Sequence, residues 1–125
     1  MIKKSIRGVP IDSFQLDLQD EICILERNID WKTLNNKSEL FKEGYVPLQP
    51  VRRLVGLFIL EKILNISGAE LLKQWLQIPY YQYFTGETLF HWDLPISVEE
   101  LEVCKSQLSE QAMDIINIIC RGVEI

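Results

Sequence analysis

Residues 46–86 constrain the chain most: they spell two apolar-faced helices joined by a short capped turn, followed by an aromatic cluster, V-P-L-Q-P-V-R-R-L-V-G-L-F-I-L-E-K-I-L-N-I-S-G-A-E-L-L-K-Q-W-L-Q-I-P-Y-Y-Q-Y-F-T-G. Pro50 suits a first helical position, where its fixed φ fits and its missing N–H would have had no partner. After it Val51, Leu54, Val55, Phe58, Ile59 and Ile63 recur at three- and four-residue steps, the core stripe of a helix reaching about Leu64. Gly56 inside that helix costs about 1 kcal/mol relative to Ala, which predicts close approach of another helix there. Ser67-Gly68-Ala69-Glu70 has the spacing of a capping box. The helix it opens carries Leu71, Leu72, Trp75 and Leu76 and stops before Pro79. Residues 65–67 are then a turn, and the pair reads as a helix-turn-helix. Tyr80, Tyr81, Tyr83 and Phe84 follow, with Gly86 closing the segment.

The flanks are also helical in pattern. Residues 1–11, with Gly8 and Pro10, read as an irregular lead-in to one all-α domain over 12–125. From Asp12, the residues Phe14, Leu16, Leu18, Ile22, Leu25 and Ile29 approximate a helical stripe, with Asp12 or Ser13 as cap. Trp31, Leu34, Leu40 and Phe41 suggest a second short helix, weakened by Asn35-Asn36, and Gly44 and Pro47 then break the chain. Ser97-Val98-Glu99-Glu100 is a second capping box. The final helix gathers Leu108, Ala112, Ile115, Ile116 and Ile119 on one face, broadened by Met113 and Ile118, with Gly122 as a stop. The expected fold is an all-α bundle of five to seven helices.

At 125 residues the chain is long enough to bury a core without staples. Cys23, Cys104 and Cys120 are odd in number and lack C-x-x-C spacing, so they read as small apolar residues of a reducing cytoplasm. No apolar run has secretory or membrane-spanning length. Charge is uneven: residues 1–62 carry a net +1 and residues 63–125 a net −6. The second half therefore repels phosphate backbones, and any nucleic-acid contact falls to the first.

No catalytic constellation stands out. His91 is the only histidine and lacks neighbours at ligand spacing, so no metal or other cofactor is expected. Glu99, Glu100 and Glu102 sit where a helix dipole favours negative charge, and the six glycines form no phosphate loop. Arg52-Arg53, with Lys62 further along the same helix, is the one positive feature of the ordered region. Two guanidinium forks at a helix start match phosphate oxygens. The same residues equally suit a solvated face or internal ion pairs. The Tyr80–Phe84 cluster has the stacking faces that bases use, or packs into the core. Together with Lys73 and Lys105, these cations complete the candidate DNA contacts: Arg52, Arg53, Lys62, Lys73 and Lys105.

Several of these segments resemble a known family. Ile29-Asp30-Trp31, the proline-rich entry Val46-Pro47-Leu48-Gln49-Pro50-Val51-Arg52, the turn Asn65-Ile66-Ser67, and Trp75 followed by Pro79-Tyr80-Tyr81-Gln82-Tyr83-Phe84 are similar to the N-terminal region of DDE-type insertion-sequence transposases, the group named after insertion sequence five. Phe90, Trp92 and Pro95 fall where that family has an F-x-W…P segment. The resemblance implies an all-α, DNA-associated domain that precedes a ribonuclease-H-like catalytic core. Two departures matter. Where the family continues with a basic F-R-K-R-I-G helix, this chain has Cys104-Lys105-Ser106-Gln107-Leu108-Ser109, which keeps one cation of three. No DDE triad follows before Ile125, so the resemblance implies a truncated module without the enzyme.

Three functions follow as expectations. The first is a non-catalytic transposase N-terminal module that contacts duplex DNA. The second is a protein-interaction module that has lost DNA binding, homodimerising through the apolar final helix or inhibiting an intact transposase or another DNA-binding partner. The third, an independent small enzyme, requires a pocket that collects His91 with two carboxylates.

Overall fold

A computed structural model describes residues 8–34 and 37–123. The described residues are all-α, with six helices of six or more residues and two single turns. These are α1 (Glu21–Asn28), α2 (Trp31–Leu34), α3 (Lys37–Leu40), α4 (Val51–Leu64), α5 (Gly68–Gln77), α6 (Pro79–Phe84), α7 (Val98–Ser106) and α8 (Glu110–Cys120). No helix among the described residues is long and apolar enough to cross a membrane.

α4 is the axis of the bundle. Val51 and every residue from 54 to 60 are buried, so the helix is enclosed on all sides rather than along the expected stripe. The extra buried residues, Leu57 and Leu60, face partners because α2, α5, α7 and α8 all pack against α4. Pro50 sits one residue outside the helix, in extended geometry at φ −56° and ψ 137°. Gly56 does mark a close approach, to the C-terminus of α6. A Cβ there would lie 3.0 Å from Thr85 Cγ2 and 3.1 Å from Thr85 Cα.

Asn65, left-handed at φ 53°, ends α4, and Ser67 Oγ accepts the Glu70 N–H to open α5. Ser97 and Ser109 cap α7 and α8 in the same way. Only the serine half of each expected capping box forms. Glu70 accepts from Gln74, and Glu100 from Gln49 Nε2, instead of reaching back to the caps. Pro79 does end α5, yet it also starts α6, since a proline is well tolerated in a helical first turn. The aromatic cluster is therefore itself helical.

The helix expected to run from Asp12 to Ile29 is two pieces. A 3-10 turn (Ile11–Phe14) ends at Gln15, whose φ is 52°, and α1 begins only after Asp20. Short aspartates explain the break. Asp17 Oδ1 takes the Gln19 N–H and Asp20 Oδ1 takes the Ile22 N–H, local bonds that compete with helix continuation. Leu18, counted in the stripe, is 54% exposed. Of the lead-in, residues 1–7 lie outside the described residues, as do Asn35 and Asn36. Residues 9–11 pair with the loop after α6, through Ile11 N–H to Thr88 O and Phe90 N–H to Val9 O.

α7 and α8 are integral to the same core: Leu101, Cys104, Leu108, Ala112 and Ile116 are buried. Lys42 N–H donates to Gln107 O and Ser109 N–H to Leu40 O, tying the α7–α8 junction to the end of α3. Cys23, Cys104 and Cys120 are all free thiols.

Two outcomes follow. Gly56→Val drives two methyls into the Thr85 backbone and lowers unfolding free energy by about 2–3 kcal/mol in urea denaturation. Tyr45 Oη lies 3.2 Å from Cys104 Sγ, and that bond, burial and the nearby Glu100 push its pKa from 10.0 up to about 12. A raised value favours the neutral phenol in the fold, so this contribution is whole below pH 10 and is lost between pH 10 and about 12. Stability of the wild type should fall across that window more steeply than that of Tyr45→Phe, as read by urea midpoints at stepped pH.

Candidate functional site

Arg52 and Arg53 occupy the first turn of α4 beside the buried Val51 and Leu54, so both stems start against the core. Their heads go to different carboxylates. Arg53 is held bidentately by Glu87, with Nε to Oε2 at 3.0 Å and Nη2 to Oε1 at 2.6 Å. Its Nη1 donates to Gln49 Oε1 at 2.8 Å, and the two charged side chains are only 13% and 6% exposed. His91 Nε2 lies 2.9 Å from Glu87 Oε1 and 3.4 Å from Arg53 Nη2. Thr85 Oγ1 lies 3.0 Å from Glu87 Oε2 and accepts the Trp75 indole N–H at 3.0 Å.

Gln82 completes this frame from a fully buried position. Its Nε2 donates to the carbonyls of Trp75 and His91, and its Oε1 accepts the His91 N–H at 2.7 Å. The amide thereby substitutes for backbone partners that the loop after α6 would otherwise lack.

Arg52 has a different set of partners. Nη2 donates to Glu26 Oε2 at 2.9 Å, and the guanidinium lies 4.5 Å from the Trp31 ring centroid. Tyr83 donates its hydroxyl to the other Glu26 oxygen at 3.2 Å. The Arg52 stem runs over Gly86, where a Cβ would come within 2.6 Å of Arg52 Cδ. Gly86 also has φ +83°, a left-handed backbone that favours glycine there. Burial, then the Glu26 charge, raises the Tyr83 pKa and keeps that donor protonated.

Lys105 stands elsewhere, with Nζ 2.5 Å from Glu61 Oε2 and 3.3 Å from Glu102 Oε1. Burial works against its charge, but the bonds and charges of those two glutamates outweigh it and raise its pKa. Lys62 and Lys73 are exposed and make no ion pair among the described residues. The structure therefore does not gather the five candidate cations on one surface. Three hold carboxylates of this same chain and two point to solvent.

The helix-turn-helix reading meets a steric fact. In that motif the N-terminal residues of the second helix touch base edges. Here Gly68, the first residue of α5, is buried, and a Cβ on it would lie 3.0 Å from Glu102 Oε1 and 3.2 Å from Leu101 Cδ2. Leu101 and Glu102 of α7 cover Gly68, while Ser67, Ala69 and Glu70 beside it stay exposed.

The aromatic cluster packs inward. Phe84 is fully buried, edge-on to Trp31 at 5.5 Å, and Tyr80 Oη accepts the Asp17 N–H. On α8 the exposed Met113 and Ile118 sit five residues apart, about 140° around the helix, so they do not form one stripe. Among the described residues no three His, Cys, Asp or Glu side chains are placed to hold a metal ion. Sequence reading passed over Glu26 and Glu87, since nothing in their spacing pairs them with the arginines, and singled out Gln49 and Gln82 only as parts of motifs.

Comparison with known proteins places these residues in context. The family described as "Transposase domain (DUF772)" matches residues 11–94, which contain the whole arginine frame. An uncharacterized protein, ORF8 of the nfe locus of Rhizobium meliloti, is 26% identical over 68 residues, 54% of this chain and 33% of that relative. The chain thus covers about a third of that relative's length. No solved structure matches.

The frame predicts unequal arginines. Arg53→Ala leaves Glu87 buried without its counter-charge and should cost about 3 kcal/mol or more. Arg52→Ala removes a partly buried pair and a ring contact and should cost about 1 kcal/mol. Paired urea titrations of the two variants check the order.

Proposed function

Because the chain belongs to the transposase-domain family DUF772, we propose that it is a non-catalytic binding module of a transposition system that works through protein contact rather than by gripping phosphates. Within the family we place it nearest the N-terminal domains of the insertion-sequence-five group, acting in the cytoplasm. The observation that carries the reading is the internal use of positive charge: Arg52, Arg53 and Lys105 hold Glu26, Glu87 and Glu61. For Arg53 to take a phosphate, Glu87 would be left 6% exposed and uncompensated. Breaking a buried pair costs about 3–5 kcal/mol, more than a screened phosphate contact returns. The net −6 of residues 63–125 adds repulsion.

Duplex DNA is the second reading, favoured by the family and by Lys62 and Lys73, whose amines stay exposed. A mobility-shift series with a short duplex at about 50 mM salt separates the two. The protein-contact reading predicts no discrete complex at micromolar protein. A salt-sensitive complex that Lys62→Glu with Lys73→Glu abolishes would overturn it.

A further inference from the structure

The loop that leads into α4 carries the most exposed large apolar side chains of the described residues, Leu48 at 93% and Val46 at 75%. They are presented rigidly. Pro47 is buried, Pro50 fixes the helix entry, and Gln49 is clamped from both ends of its amide, donating to Pro95 O and accepting from Arg53 Nη1 at 2.8 Å each. A backbone already held in place on either side leaves less entropy to lose on docking. Directly beside this peg lies an open hollow of about 580 Å³, walled by Phe41, Tyr45, Val46 and Pro47. Lys42 and Glu43 stand on its rim, both exposed and neither in an ion pair among the described residues.

We infer that this face binds a second copy of the chain, each copy inserting Leu48 into the other's hollow. A two-fold contact requires one patch to be complementary to itself. Here an apolar peg adjoins an apolar socket, and one cation adjoins one anion, so a partner turned by 180° offers socket to peg and Glu43 to Lys42. α8 supplies no equivalent, since its exposed Met113 and Ile118 face different ways. The inference rests on the protein-contact reading and names its partner.

Sedimentation equilibrium of the full chain from low to high micromolar concentration tests it. The expected result is a reversible dimer that Leu48→Asp weakens by about thirtyfold or more, as for a central contact residue. Ile118→Asp should leave it unchanged. Lys42→Glu should weaken it and Lys42→Glu with Glu43→Lys should restore it, a rescue that an unfolded variant cannot mimic. A monomer throughout, or a dimer indifferent to Leu48→Asp, would overturn the inference. Either result leaves the protein-contact reading with a different partner, whereas salt-sensitive duplex binding would remove that reading whatever the dimer does.

Discussion

Glu87 makes the most demanding interaction in this molecule. A carboxylate 6% exposed survives only if donors replace its lost water, and it has them in both Arg53 nitrogens, with His91 and Thr85 alongside. Those donors come from the start of α4, the end of α6 and the loop that follows. One side chain thus fixes the central helix against the segment that carries Trp75, Gln82 and Thr85. Gln82 then locks the same loop through its backbone, and Gln49 extends the frame to the entry loop through Arg53.

This arrangement turns the arginine pair inward. Adjacent cations at the start of a helix are a natural phosphate clamp, but each already has a carboxylate of its own chain. The same logic repeats where α7 meets α4, with Lys105 between Glu61 and Glu102. The cations thus hold together helices distant in sequence. The most exposed large apolar side chains, Val46 and Leu48, are left for contact beside them.

Much of the architecture was legible. The three- and four-residue spacing around Leu54 and Phe58 and the serine caps foretold α4, α5 and α7, and Gly56 foretold a close approach, which the end of α6 makes. The break near Asp17 was not, because an apolar stripe counts Leu16 and Leu18 without weighing aspartates that capture neighbouring N–H groups. Pro79 was read as an ending when its geometry serves a beginning as well. The site was harder. Sequence offered phosphate binding or internal pairing for Arg52 and Arg53, and only the fold brings in Glu26 and Glu87, 26 and 34 residues away. Long-range pairing leaves no periodic trace. The motif residues Trp75 and Gln82 were recognisable as a pattern, yet their role as hydrogen-bonding struts needed the positions of Thr85 and His91.

The central claim is that Arg53 and Glu87 act as one structural unit. A double-mutant cycle measures it most directly, with Arg53→Met, Glu87→Gln and the pair compared by urea unfolding. The account predicts strong coupling, about 2 kcal/mol or more, with the double variant no less stable than the worse single one. Additive effects, with coupling near zero, would contradict it.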